Sequence, residues 1–352
     1  MTLYPNLIVE ALSHVKYPGK EGNIVSLNMI ADNIRIDGNN VWFSLLLRPN
    51  DPFAKSLIKA CEQAILTYIG PEVQIKGHID VINVQNKVVK EEKPLSHVKC
   101  KIAISSGKGG VGKSTVSANL AVALAKQGYK VGLLDADIYG PSIPKMFGIE
   151  QERPIADEEG KIVPIEKYGI KILSIGFFVD PQNAIVWRGA MASNAIKQLI
   201  NDAAWGDLDF FLIDLPPGTS DIHLTIVGNL QLDGAIVVST PQAVALADAI
   251  KGIDMFQNEK VNVPILGLIE NMAWFTPAEL PDHKYYLFGK DGVKKLADEK
   301  GLTLLGQIPI VQRICESGDE GCPIALDSDE IVALAFENVA KNSIFAKIST
   351  QP

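Results

Sequence analysis

The sequence predicts an α/β protein: a mostly parallel sheet covered by helices on both faces, preceded by a smaller α/β domain. Three observations carry that expectation. From about residue 98 onward, apolar runs of strand length alternate with helical stretches, as in a parallel sheet with crossover helices. A glycine-rich phosphate-loop pattern stands between the first of those strands and the first of those helices. Residues 85–97 are charged, contain Pro94 and hold no sustained period, so they read as a linker between residues 1–84 and residues 98–352.

In the first domain, residues 2–14 read as a short helix. Residues 23–36 and 40–47 read as strands joined through Asp37-Gly38, a turn signal. Residues 52–68 place Phe53, Leu57, Ile58, Cys61, Ile65 and Leu66 at helical spacing, and Gly70-Pro71 ends the run. Residues 73–81 read as a last strand. In the second domain, strands are expected at residues 101–105, 130–134, 171–175, 209–213, 234–238 and 265–269. Residues 113–127 form a helix with Val116, Leu120, Ala123 and Leu124 on one face, and residues 328–345 form the last helix.

Composition narrows the function. The chain has 352 residues, 47% of them hydrophobic, enough to bury a large core in two domains. No apolar run approaches the roughly 18 residues of a membrane span, and residues 1–20 lack the basic start and apolar stretch of a signal peptide. No membrane association is therefore expected. Four cysteines, Cys61, Cys100, Cys315 and Cys322, are too few for a disulfide scaffold, so a reducing cytoplasm is the expected location. Residues 1–97 hold ten basic and ten acidic residues; the remainder holds 23 basic and 31 acidic, which is the whole net charge of −8. Nucleic-acid binders usually carry a basic excess to neutralise phosphates, so no nucleic acid is expected as a main partner.

The strongest motif is Gly107-Lys108-Gly109-Gly110-Val111-Gly112-Lys113-Ser114, which fits G-x-x-x-x-G-K-[ST]. Its glycines let backbone N–H groups surround a di- or triphosphate, and the following helix adds the positive end of its dipole. Lys113 places a charge on the β/γ phosphates, and the Ser114 hydroxyl suits Mg²⁺. Gly107, Gly109 and Gly112 also satisfy G-x-G-x-x-G, with Asp135 about where a ribose-binding acid would sit. A dinucleotide site of that kind leaves Lys113-Ser114 unexplained, so a nucleoside triphosphate is preferred.

Asp135-Ala136-Asp137 ends the second strand of this domain. Ligands of parallel sheets sit beyond the carboxyl ends of strands, so one of these acids can orient an attacking water and the other hold metal-bound water. Phe210-Phe211-Leu212-Ile213-Asp214 is an apolar run ending in an acid, a form in which the Asp serves a Mg²⁺ shell. Pro216-Pro217-Gly218-Thr219 then makes a rigid and afterwards flexible turn suited to sensing a γ-phosphate. Asn271, in Glu270-Asn271-Met272, offers donor and acceptor groups to an adenine edge. Trp187-Arg188-Gly189 is a candidate switch-linked element in which Arg188 could pair with phosphate, although an ordinary surface arginine is the preferred reading.

Lys108 is a second lysine that an ordinary phosphate loop does not need. With it, Ser106-Gly107-Lys108-Gly109-Gly110-Val111-Gly112-Lys113-Ser114-Thr115 resembles the deviant Walker A motif of MinD/ParA/ArsA-type ATPases. That resemblance implies a homodimer in which Lys108 reaches the partner's nucleotide, Asp137 activates water, and the loop containing Pro309 lies on the base side. Residues 106–115, 135–144, 187–189, 214–221, 240–256 and 269–272 together resemble the Mrp/ApbC family. The resemblance covers about residues 96–345. It implies an ATP-dependent iron–sulfur cluster carrier with apo iron–sulfur clients and assembly factors as partners. Residues 1–84 resemble the small domain that precedes many such ATPases and occurs in other iron–sulfur assembly factors.

One departure stands out. The family usually carries Cys-x-x-Cys just after the Glu-Asn-Met segment, where two protomers share a [4Fe–4S] cluster. Here Ala273 to Pro281 contains no cysteine. Cys61 and Cys100 sit at core positions of a helix and a strand. Cys315 and Cys322 flank a glycine-containing polar stretch and are the candidate thiolate ligands, two per protomer. The competing expectations are an Mrp-type ATPase regulator or adaptor that holds no cluster, a MinD/ParA-like positioning ATPase, and a nicotinamide oxidoreductase.

Overall fold

The structure is a computed structural model. It describes residues 3–18, 22–31, 33–47, 49, 51–83, 95–178, 189–219, 221–277, 279–280, 282–328 and 331–349. The chain divides into two compact units, Met1–Glu91 and Glu92–Pro352. The expected linker falls mostly outside the described residues; Leu95 to His97 make a turn before the first strand of the larger unit.

The small unit contains α1 (Pro5–Leu12), β1 (Arg35–Asp37), β2 (Asn40–Leu47), α2 (Ala54–Tyr68) and β3 (Ile79–Asn83). The sheet order is β1-β2-β3, antiparallel between β1 and β2 and parallel between β2 and β3. Alternate residues of β2, namely Val41, Phe43, Leu45 and Leu47, are buried with Ile8 and Leu12 of α1 and Leu57, Cys61 and Ile65 of α2. Two expected strands are shorter than the apolar pattern suggested. The strand expected over residues 23–36 begins only at Arg35, because Asn23 Oδ1 accepts the backbone N–H groups of Val25 and Ser26 and curls the chain into turns. The strand expected over residues 73–81 begins at Ile79; Val73 and Ile75 are buried from a turn-rich approach instead.

The large unit has the expected architecture. Its strands are β4 (Val98–Ser105), β5 (Val131–Asp135), β6 (Ile165–Lys167), β7 (Ile170–Ser174), β8 (Leu208–Asp214), β9 (Gly234–Ser239), β10 (Ile265–Phe275) and β11 (Leu304–Ile310). They lie in the order β11-β10-β9-β4-β8-β5-β7-β6, and every pair is parallel except β6 with β7. The helices are α3 (Lys113–Lys126), α4 (Ile143–Met146), α5 (Gly189–Asn201), α6 (Asp221–Asn229), α7 (Ala243–Gln257), α8 (Gly292–Lys300), α9 (Gln312–Asp319) and α10 (Ile331–Ser349). Side chains alternate across the sheet. Ile102 and Ile104 of β4 pack with Val116, Leu120 and Phe336 of α3 and α10. Ala103 between them packs with Ile196, Ile222 and Ile226 of α5 and α6.

Three stretches differ from expectation. β6 pairs with β7 through Tyr168-Gly169, both at positive φ, a tight turn that no Asn-Gly or Asp-Gly pair announced. Residues 305–309, expected as a loop, lie within β11. Pro309 is tolerated there because β11 is the sheet edge and needs no donor on its outer side. The stretch between Cys315 and Cys322 begins as helix α9 rather than a polar loop. Ser317 is buried in that helix, and Arg313 pairs with Glu316 and Glu320 one and two turns further along.

Candidate functional site

The site is built at the carboxyl ends of the central strands. β4 delivers Ser105 to the loop Ser106 to Gly112, and α3 starts at Lys113. Two glycines are required by contact. A side chain at Gly107 would enter the backbone of α7 at Asp248, and one at Gly112 (φ 81°) would enter the Asn271 amide. The loop is therefore seated between α7 and the end of β10. Asn271 Nδ2 donates to the Val111 carbonyl at 2.8 Å, which ties β10 to the loop. The next residue, Met272, has φ 56° and turns the chain out of the β10–β11 register.

Lys113 is buried, and its Nζ lies 2.8 Å from Asp214 Oδ2 and 3.9 Å from Asp137 Oδ2. Asp214 is fully buried at the end of β8. It also accepts the Ser114 hydroxyl at 2.7 Å and the Ser117 hydroxyl at 2.5 Å. Strand pairing sets Asp135 of β5 directly opposite Asp214. Burial, and then the neighbouring Asp214 charge, push the Asp135 carboxyl up to about 7. Its oxygens accept the Asp137 N–H at 3.1 Å, the Ile143 N–H at 3.3 Å and the Ser174 hydroxyl at 3.0 Å. Asp137, less buried, is also raised by desolvation, against the pull of Lys113.

Two contiguous cavities open over this floor. The first, about 210 Å³, is lined by Lys108, by Gly109 through Thr115, by Asp137 and by Pro217. The second, about 710 Å³, shares Gly112 and Thr115 with it and extends past Asn271, Met272 and Pro309 to Cys315 of α9. The structure thus gathers Lys108, the glycine loop, Lys113, Ser114, Thr115, Asp137, Asn271 and Pro309 around one continuous space, with Asp135 and Asp214 behind it. Cys315 stands on its far wall. Cys322 does not line that space; its sulfur lies 3.5 Å from the Tyr168 hydroxyl. Trp187 and Arg188 lie outside the described residues. Ser117 and Ser174 were not singled out from sequence. Ser117 stands one turn after Lys113 on α3 and Ser174 ends a strand beside β5, and a hydroxyl at such a place next to the loop is the signal that could have marked them.

Chemically, the floor offers one ammonium (Lys113), three hydroxyls (Ser114, Ser117 and Ser174) and three carboxyl groups (Asp135, Asp137 and Asp214). Mg²⁺ takes hard oxygen donors, and Ser114 Oγ beside Asp214 Oδ2 fits that preference. Among the described residues, no three His, Cys, Asp or Glu side chains are grouped to hold a metal ion within one chain. Cys315 and Cys322 are exposed, whereas Cys61 and Cys100 are buried and their thiols are pushed up to about 12.

A phosphate loop between β4 and α3, an acid ending β8 and a parallel sheet in this order define a P-loop NTPase of the MinD/ParA class. Residues 97–344 match the profile described as NUBPL iron-transfer P-loop NTPase, and residues 6–76 match that described as iron–sulfur cluster assembly protein. The chain belongs to this NUBPL/Mrp family of P-loop NTPases, as the resemblance to Mrp/ApbC implied. It is 40% identical to the iron–sulfur cluster carrier protein of Synechocystis over 99% of this chain and 98% of that one. It is 48% identical to an Arabidopsis thaliana mitochondrial iron–sulfur protein required for NADH dehydrogenase, over 71% of this chain and 79% of that one. Among solved structures, an Archaeoglobus fulgidus nucleotide-binding protein in complex with ADP is 38% identical over 68% of this chain and 95% of that one, with a TM-score of 0.60. MinD of Pyrococcus horikoshii, complexed with Mg-ADP, is 27% identical over 71% and 97% of the respective chains, with a TM-score of 0.53.

Proposed function

We propose that this protein binds and hydrolyses ATP as a cytoplasmic homodimer and carries iron–sulfur clusters to apo-proteins. The observation that carries the reading is the likeness, over both units and nearly the full length, to the Synechocystis cluster carrier. The nucleotide half rests on geometry. Backbone N–H groups of residues 107–115 receive the phosphates, Lys113 turns from Asp214 toward the β/γ oxygens, and Asn271 and the Pro309 region receive the base. Ser114, with Asp135 and Asp214 behind it, would hold Mg²⁺, which would supply positive charge to the phosphates. Asp137 orients the attacking water, and Lys108 of one protomer stabilises charge at the partner's γ-phosphate. Bound ADP in the Archaeoglobus relative and Mg-ADP in MinD support this assignment.

The dimer reading has support in exposed apolar side chains. Tyr139, Leu224, Val244 and Leu287 follow β5, β8, β9 and β10 on the same edge of the sheet as the phosphate loop, and each is more than half exposed. Cys315 and Cys322, two from each protomer, are the proposed ligands of a [4Fe–4S] cargo. Gly321, just before Cys322, packs on Gly148 beyond α4, and α4 begins at the loop that carries Asp137. Movement of that loop with nucleotide state would reach the cysteines by this contact. Residues 1–84 form the unit that recruits clients and assembly factors.

A second reading, an Mrp-type regulator that holds no cluster, is favoured by one observation. Where the family resemblance places Cys-x-x-Cys, Phe275 and Tyr285 instead exchange backbone hydrogen bonds at 2.8 Å, and Lys284 caps the Trp274 ring at 3.9 Å. Iron, sulfide and the visible spectrum of anaerobically purified protein separate the two. A coloured protein with stoichiometric iron supports the carrier, and a colourless, iron-free protein that still hydrolyses ATP supports the regulator.

A further inference from the structure

We propose that Ser174 is a positioning residue for Asp137, acting through Asp135. Ser174 ends β7 and is fully buried. Its oxygen accepts the Gly176 N–H at 3.0 Å, so its proton is free to be donated, and it goes to Asp135 Oδ2 at 3.0 Å. Asp135 has no other side-chain donor among the described residues. With its orientation set by Ser174, the carboxylate accepts the Asp137 N–H on one oxygen and the Ile143 N–H on the other. Those two amides bracket the loop from which the Asp137 side chain projects toward Lys113. One carboxylate therefore pins both ends of the loop, and one hydroxyl holds the carboxylate.

The neighbourhood explains why such a fastener is needed. Asp135 and Asp214 are paired across β5 and β8, so two buried carboxylates lie side by side with Lys113 bonded to only one of them. The hydroxyls divide between them: Ser114 and Ser117 donate to Asp214, and Ser174 donates to Asp135. Without the Ser174 hydroxyl, the Lys113 ammonium is the strongest attraction left for Asp135, and rotation toward it releases both loop amides. Pro141 of the same loop also rests against Gly176, two residues past Ser174, so the end of β7 is the loop's bed as well as its anchor.

The proposal rests on the reading of Asp137 as the water-orienting carboxylate, and the test keeps the two apart. In full-length protein without nucleotide, amide hydrogen exchange at Asp137 and Ile143 should rise about tenfold in Ser174→Ala. In MgATP turnover, kcat should fall about tenfold with KM changed less than about twofold, because a displaced Asp137 affects the chemical step and not the phosphate cradle. Ser174→Thr should restore both, and the isosteric Ser174→Val should not, a comparison that holds even if Ser174→Ala folds poorly. In an Asp135→Asn background, Ser174→Ala should add less than about twofold to the loss of kcat. Unchanged exchange in Ser174→Val relative to Ser174→Thr, or a full independent loss in the Asp135→Asn background, overturns the proposal. A wild type that does not hydrolyse ATP overturns the reading of Asp137, while the exchange comparison still decides whether Ser174 holds the loop.

Discussion

Lys113 Nζ and Asp214 Oδ2 lie 2.8 Å apart in the buried floor of the phosphate loop, and the same carboxylate takes two serine hydroxyls. A lysine held this way is pre-aligned for phosphate but already neutralised. Binding exchanges one buried partner for another, so the ammonium is never left alone in a low-dielectric site.

That pairing predicts a double effect of Lys113→Ala. Asp214 would keep its two hydroxyl donors but lose its countercharge, which costs on the order of 3 kcal/mol for a buried pair broken on one side. Nucleotide affinity would fall by about a hundredfold or more with the loss of the phosphate charge. Urea unfolding without nucleotide and titration with a fluorescent ATP analogue measure the two parts separately. A variant with unchanged stability would mean that Asp214 is not dependent on Lys113.

Lys108 lines the first cavity without contributing to its buried floor. Lys108→Ala is expected to keep nucleotide affinity within about threefold and to lose roughly a hundredfold in turnover. Mixing Lys108→Ala with Asp137→Ala protomers should restore roughly a quarter of wild-type activity, since each mixed dimer holds one complete site if Lys108 acts across the interface. Absence of any recovery on mixing contradicts action in trans.

The raised Asp135 carboxyl carries a pH dependence. Its folded-state value of about 7 lies above the unfolded value near 3.8. Between those values the folded protein binds more protons than the unfolded one, so this group's contribution makes stability fall as pH rises from about 4 to 7. The difference in melting temperature, wild type minus Asp135→Asn, should therefore decrease over that range. Parallel curves for the two proteins would show that Asp135 titrates normally.

Thiol accessibility separates the cysteines. Cys61 and Cys100 are buried with raised pKa values, and Cys315 and Cys322 are exposed. An aromatic disulfide reagent at pH 8 should react quickly with Cys315 and Cys322 in the native protein and with all four thiols after unfolding. Loss of the rapid phase in a Cys315→Ser/Cys322→Ser variant checks the assignment.

Much of this was legible in the chain itself. The loop from Gly107 to Ser114 and the acids ending β5 and β8 follow from motif spacing, because a phosphate cradle constrains residue type at each position. Asn271 was recognisable as polar at a strand end, yet its hydrogen bond to Val111 joins residues 160 positions apart and no local pattern encodes it. The Ser117 and Ser174 hydroxyls reach Asp214 and Asp135 across 97 and 39 residues of sequence, and the pairing of those two carboxylates depends on strand order. So does the strand character of residues 304–310, where a proline masked an edge strand. The turns at Asn23 were hidden by apolar neighbours that are buried without being extended.

The central claim is that nucleotide turnover at the Lys113–Asp214 site controls a carried cluster. The most direct measurement is transfer from anaerobically reconstituted protein to an apo iron–sulfur acceptor, followed with and without MgATP in the wild type and in Lys113→Ala. The account predicts retained iron and sulfide, a transfer rate changed severalfold by MgATP in the wild type, and no response to MgATP in the variant. A wild type that retains no iron, or that transfers its cluster at one rate whatever the nucleotide, would contradict it.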